Sequence, residues 1–138
     1  VEKEFNFALD NDRVRGRWDR IDIVDAEATI IDFKSSEISK QEDADKRAKE
    51  SLQMSIYALA YKEIFGKMPK QVELHFLESG LVGRAKRTEK DLQTATDKIK
   101  EASLGIRKAD FKAEPSYLAC NYCAYNQICP SCVPLKRI

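Results

Sequence analysis

The chain has 138 residues, 43% hydrophobic and 34% charged, a composition that fits one folded domain and excludes wholesale disorder or a membrane span. Its 24 Lys and Arg against 23 Asp and Glu leave a formal net charge of +1, which taken alone argues against a strongly basic nucleic-acid binder. The average hides a division, because residues 1–50 carry 14 acids and 10 bases while residues 51–138 carry 9 and 14.

In chain order, EKEFNFA (2–8) and RVRGRWDRIDIV (13–24) read as strands joined by the turn-forming Asp10, Asn11 and Asp12. ATIIDFK (28–34) is a further strand, with an apolar run suited to a central position. A long helix is expected from about Glu42 to Phe65. Ser39 and Glu42 would form its capping box, Leu52, Ile56, Leu59, Ala60 and Ile64 its apolar stripe, and Gly66 its C-cap. QVELHFL (71–77) alternates as a strand should, and Leu81 to Arg87 follows it across Ser79 and Gly80. A second helix runs from Thr88, with Asp91 three residues on, to about Lys108. From Pro115 the chain is rich in Cys and Tyr and shows no regular period. The order β-β-β-α-β-β-α plus a tail is an α/β (α+β) arrangement, a mixed sheet flanked by helices. The opening VEKEFNF has no apolar leader and no initiating Met. A start inside a strand is expected of a piece cut from a longer protein.

The 4 cysteines are Cys120, Cys123, Cys129 and Cys132, in the pattern C-x2-C-x5-C-x2-C. Disulfides of secreted domains usually close large loops along the whole chain. Thiols packed this closely read instead as a metal or cluster site in a reducing compartment, which implies a cytoplasmic location. Soft thiolates select zinc or iron–sulfur clusters.

The segment from Gly16 to Asp22 (GRWDRID), followed by IIDFK (30–34), is the most informative. Asp32 and Lys34 point to the same face of their strand, about 7 Å apart. Unpaired charges on an apolar central strand are expensive, so these need each other, a metal or a substrate. Asp19 shares the parity of Ile21 and Ile23 and is expected to face inward. Two inward carboxylates from neighbouring strands make a hard-oxygen site suited to Mg2+ or Mn2+. A lysine beside them can position a water or balance charge on a phosphate. A buried Asp–Lys ion pair without chemistry accounts equally well for the D-x-K spacing alone.

The motifs G-x-x-D-R-I-D, I-D-F-K-S, Gln53-x3-Tyr57 and C-x2-C-x5-C-P, in this order, resemble the RecB-like (AddB-like) branch of the PD-(D/E)XK nuclease superfamily. More narrowly, the chain is similar to nuclease domains of helicase–nucleases that carry a C-terminal iron–sulfur motif. The resemblance runs from Glu4 to Pro130. It implies a restriction-endonuclease-like mixed central sheet flanked by helices, with an irregular cysteine-rich tail. It also implies a nuclease core over 1–114 that lacks its first helix, and a metal or cluster tail over 115–138. Asp19, Asp32 and the Phe33 carbonyl would bind Mg2+ or Mn2+, and Lys34 would assist phosphodiester hydrolysis. Gln53 and Tyr57, at i, i+4 on one helix face, match the family's Q-x3-Y motif. Asp22 would act in support through Arg20 or Arg17, and Glu4 fits the family's E-x-x-F entry to the first strand. The family's upstream His or Glu ligand has no counterpart, since His75, the single histidine, reads as an ordinary strand residue. Cys120, Cys123 and Cys129 match three cluster ligands, and Cys132 is a local substitute for the fourth. A 4Fe–4S cluster, a structural Zn2+ and an empty site all remain open for these thiols.

The expected activity is metal-dependent cleavage of DNA, as an exo- or endonuclease in repair or recombination. The expected partners are single-stranded DNA or a DNA end, and helicase domains in the same or a partner chain, with no membrane. Two other readings stand beside it. One is a nuclease fold that binds DNA or scaffolds without cutting. The other is a zinc module whose tail grips nucleic acid through Tyr117, Tyr122 and Tyr125 near Lys108, Lys112, Lys136 and Arg137. A metal-binding acidic first third beside a basic remainder also explains how a nuclease can total only +1.

Overall fold

The computed structural model describes residues 2–133, so Lys136 and Arg137 lie outside the described residues. Burial alternates along Lys3–Leu9 (β1) and Asp12–Trp18 (β2), which pair antiparallel as a hairpin with Phe5 opposite Gly16. Phe5, Phe7 and Trp18 turn inward, while Arg13, Arg15 and Arg17 stay exposed. The expected single strand over 13–24 is in fact two. The chain bends at Asp19 and resumes as Arg20–Val24 (β3), which pairs with Glu27–Lys34 (β4) in a different sheet. Trp18, 0% exposed, anchors that change of sheet. Its ring lies 4.7 Å from Phe5, and its indole N–H donates to the Tyr57 carbonyl at 3.2 Å.

The main sheet has the order β3-β4-β5-β6, with Gln71–Phe76 (β5) and Val82–Ala85 (β6). β4 and β5 run parallel and the outer pairs antiparallel, so the sheet is mixed and β4 lies inside it. A parallel pair needs a crossover, which here is two helices, Gln41–Glu50 (α1) and Leu52–Phe65 (α2). The expected unbroken helix over 42–65 is interrupted at Ser51, whose extended backbone (ψ 113°) ends α1 and whose hydroxyl accepts from Met54 N–H at the start of α2. The Ser39–Glu42 capping box does not form. Lys40 occupies the cap without a side-chain bond, and the first turns of α1 bind β6 instead. Gln41 donates to the Val82 carbonyl at 2.7 Å, and Asp45 accepts the Arg84 amide at 3.0 Å. Gly83 makes this closeness possible, since a Cβ there would lie 2.0 Å from the Ala44 carbonyl oxygen.

The buried face of α2 also differs from the expected stripe. Leu52 and Ile64 are exposed, and Met54, Ala58, Leu59, Ala60 and Tyr61 are buried. Apolar residues surround much of this helix, so periodicity does not select a face; the hairpin and sheet packed on it do. Gly66 closes α2 in the left-handed conformation at φ 73°.

Glu89–Arg107 (α3) follows a reciprocal cap. Asp91 accepts the Thr88 amide, and Thr88 Oγ1 accepts the Asp91 amide. The Thr88 backbone bond holds the Asp91 carboxyl below its ordinary range. Leu92 and Ala95 of α3 join Phe5, Trp18, Ile30, Met54 and Tyr61 in one core. The tail, expected to be irregular, contains one short helix, Tyr117–Asn121 (α4), capped by Ser116; five residues are too few to show a period. The chain divides into two compact units, Val1–Ser103 and Leu104–Ile138. Among the described residues, no helix is long and apolar enough to cross a membrane.

Two substitutions test this packing in opposite directions. Gly83→Ala is expected to lower stability by about 1–3 kcal/mol, because the added methyl meets α1 backbone. Ala26, at φ 62° in the β3–β4 turn, is strained, so Ala26→Gly should raise stability by about 0.5–1 kcal/mol. Urea unfolding midpoints at constant slope measure both.

Candidate active site

β4 carries two ionisable side chains on the sheet face that meets α2. Asp32 is 3% exposed, and Lys34 Nζ lies 2.7 Å from its Oδ2. Apart from that ion pair, the buried Oδ2 has no hydrogen-bond partner among the described residues. Burial pushes the Asp32 carboxyl above its ordinary range, the Lys34 ammonium pulls it back, and the Asp19 carboxylate adds to the rise.

Asp19 reaches this site from the bend between β2 and β3, not from the inward parity expected of it. Of the two residues expected to share that face, Ile21 packs against the core and Ile23 is 61% exposed. Parity does not carry across a bend where the chain changes sheets. Asp19 Oδ2 accepts the Phe33 amide N–H at 3.0 Å. A strand residue presents its N–H and C=O to the same edge, so the Phe33 carbonyl also faces the Asp19 side.

Lys34 continues the chain of contacts outward. Its Nζ donates to Gln53 Oε1 at 2.7 Å, and Gln53 Nε2 lies 3.1 Å from the Tyr57 hydroxyl. Burial lifts the Tyr57 phenol against the Gln53 hydrogen bond, and the Asp32 and Asp19 charges add to the lift. The phenol thereby stays neutral, with its oxygen accepting the Gln53 amide N–H. Asp19, Asp32, Phe33, Lys34, Gln53 and Tyr57 therefore form one connected group. Beside Lys34 a depression of about 260 Å³ is lined by Lys34, Arg47, Glu50, Ser51 and Gln53 over Leu74 and Phe76.

A further residue in this arrangement carries no signal in the sequence. Arg87, 7% exposed, donates to the Ala48 carbonyl at 2.7 Å, the Ser51 carbonyl at 3.0 Å and Ser55 Oγ at 2.8 Å. It ties together the junction of α1 and α2 and so places Gln53, two residues beyond Ser51. Burial lowers its guanidinium below the ordinary value. Its partners lie more than 30 positions away and are mostly backbone carbonyls, which no motif records.

Other expected residues lie outside the group. Arg20 pairs with Asp22 through two contacts of 2.7 Å. Glu4 sits on the outer hairpin face, 3.3 Å from Arg17. His75 Nε2 is 2.7 Å from Glu73 Oε2, and its ring meets Phe33 edge-on.

The cysteines belong to the second compact unit. All four are free thiols. Hydrogen bonding from the Val133 backbone pulls the Cys120 thiol down. Burial and then Cys120, with the charges of Cys129 and Cys123, push Cys132 up. The thiols thus feel one another, yet among the described residues no three His, Cys, Asp or Glu side chains are spaced to hold a metal. Tyr117, Tyr122 and Tyr125 are exposed.

The buried Asp32 carboxylate, whose Oδ2 has no hydrogen-bond partner beyond its ion pair with Lys34, and the Asp19 carboxylate that acts on it are a pair of hard donors of the kind Mg2+ and Mn2+ take. The sequence profile of the PD-(D/E)XK nuclease superfamily matches residues 1–130. The chain belongs to the PD-(D/E)XK nuclease superfamily. The mixed sheet flanked by helices is the restriction-endonuclease-like fold of that superfamily, whose members are usually nucleases and typically use Mg2+ or Mn2+. The Gene 69 protein of Mycobacterium phage L5 is 28% identical over an alignment of 136 positions that covers 94% of this chain and 44% of that protein. The solved structure of SSO0001 shares the fold, with a TM-score of 0.51 at 13% identity over 97% of this chain and 60% of that one. The chain therefore spans less than half the length of the phage relative.

The raised Asp32 carboxyl makes a prediction with a definite sign. Its folded state holds the proton more tightly than the unfolded state does. The stability it contributes is thus present at low pH and lost as pH rises through the raised value. Asp32→Asn removes that loss, so it is expected to raise the melting temperature by a few degrees at neutral pH. The gain should shrink as pH falls into the carboxylate range. Calorimetric scans across pH check both trends.

Proposed function

We propose that this chain is the nuclease domain of a metal-dependent deoxyribonuclease that hydrolyses phosphodiesters, within a helicase–nuclease of DNA repair or recombination. The observation that carries the reading is the buried Asp32 carboxylate, ion-paired to Lys34 and within reach of the Asp19 charge. The order of motifs along the chain supports the narrower helicase–nuclease context. Its functional division is a nuclease core over 1–114 and a metal-binding tail over 115–138.

In this reading Asp19, Asp32 and the Phe33 carbonyl hold Mg2+ or Mn2+. When bound, the ion supplies positive charge that offsets the charge developing on the phosphate. The Phe33 amide fixes the Asp19 carboxylate through their 3.0 Å hydrogen bond. Lys34, held by Asp32 and Gln53, presents its ammonium at the mouth of the depression, where it hydrogen-bonds a phosphoryl oxygen or the attacking water. Gln53 orients that ammonium and is itself braced by Tyr57. Water attacks phosphorus and gives up a proton to bulk solvent, the bond to the leaving oxygen breaks, and the departing alkoxide takes up a proton from solvent.

A second reading draws on a different observation. Among the described residues, no third carboxylate or His completes the Asp19–Asp32 pair, which suits a nuclease fold that grips DNA without cutting it. Cleavage of a single-stranded oligonucleotide with Mg2+ or Mn2+ separates the two. Asp32→Ala and Lys34→Ala are each expected to slow cleavage at least about 100-fold. Undiminished cleavage in both variants overturns the site assignment, and salt-sensitive binding with no cleavage by the unaltered chain favours the second reading. For the tail, Cys120, Cys123, Cys129 and Cys132 are proposed to take a 4Fe–4S cluster or zinc, supported by their spacing. Iron and zinc analysis of anaerobically purified protein decides between the two, and the absence of both metals overturns the proposal.

A further inference from the structure

We infer that Arg47 is a phosphate-binding residue of this site, taking a phosphodiester adjacent to the one met by Lys34 on the same DNA strand. The inference rests on the nuclease reading and names how that site grips its substrate.

Arg47 lies on α1 and is exposed, with its Nη1 donating to Ser36 Oγ at 3.1 Å. Ser36 is two residues past the end of β4, so this bond draws the guanidinium toward the carboxyl end of that strand. There it lines the same depression of about 260 Å³ as Lys34 and Gln53. The floor of the depression, Leu74 and Phe76, belongs to β5, which runs parallel to β4. Ligands of sheets with parallel strands gather outside the carboxyl ends of those strands.

Charge points the same way. The Lys34 ammonium already has Asp32 and Gln53 at 2.7 Å. Among the described residues, Arg47 makes its Ser36 bond and has no carboxylate within ion-pair distance, although Glu50 lines the same depression. A guanidinium carries five N–H donors in a fork that matches phosphate oxygens. A cation in the last turn of α1 also complements the helix dipole, and that accounts for its charge. It does not account for the bond to Ser36 or the position beside Lys34. Lys46 and Lys49 supply an internal contrast, since they line a different depression with Asp45 and Arg84.

The test uses single-stranded oligonucleotides, with binding measured in Ca2+ so that it is scored whether or not the chain cuts. Arg47→Ala is expected to raise KM and the dissociation constant about tenfold while kcat stays within about twofold. The slope of log affinity against log salt should fall by about one phosphate contact. Arg47→Lys should recover part of the affinity, and Lys46→Ala should leave both quantities close to those of the unaltered chain. Unchanged affinity and slope in Arg47→Ala overturn the inference and leave the nuclease reading standing. An equal loss in Lys46→Ala does the same, since it would reflect charge alone. An unaltered chain that binds no DNA overturns both.

Discussion

A carboxylate buried in an inner strand of a sheet costs several kcal/mol unless its surroundings offset it, and the site follows from how this chain does so for Asp32. Lys34 cannot leave the strand face it shares with Asp32, so it supplies the nearest positive charge. The offset is incomplete, because burial outweighs the lysine and Asp19 stands close enough to add to the load. A site with two converging carboxylates and one ammonium is therefore poised for a further positive charge. The same imbalance that makes the group costly to fold makes it suited to a divalent cation.

Keeping Lys34 aimed requires a partner on another element, which is why the junction of α1 and α2 matters. Gln53 sits in the first turn of α2, and the break at Ser51 sets where that turn begins. Arg87 secures the break through two backbone carbonyls and a serine hydroxyl. A buried guanidinium with no carboxylate in ion-pair contact, Asp91 acting on it only from a distance, would be hard to justify on stability alone. Here the carbonyl ends of a helix provide the negative potential that accommodates it. The hairpin contributes from the other side, since Trp18 locks the backbone immediately before Asp19 and Phe5 presses edge-on against Tyr57.

Much of this was legible in the sequence. The D-x-K spacing placed Asp32 and Lys34 on one face, the i, i+4 spacing placed Gln53 beside Tyr57, and the punctuation at Gly66, Gly80 and Thr88 marked real boundaries. What was not legible depended on which sheet a segment joins. Residues 13–24 alternate as one strand, and nothing local says that β2 pairs with β1 while β3 pairs with β4. That choice creates the bend that delivers Asp19. Residues 42–65 likewise have helical composition throughout, and the interruption at Ser51 is held by an arginine 36 residues away. The apolar surround of α2 hid its buried face for the same reason: packing partners, not periodicity, chose it.

The contacts between α1 and β6 have a consequence for how the protein behaves in company. β6 is an outermost strand of the main sheet, and such a strand normally offers a row of free amides and carbonyls to any extended peptide. Here the Arg84 amide is taken by Asp45 and the Val82 carbonyl by Gln41. Two side chains of a helix stand in for a neighbouring strand, with Gly83 letting the helix come close enough to do so. On this flank the sheet resists strand addition, and with it the edge-to-edge association through which open sheets aggregate.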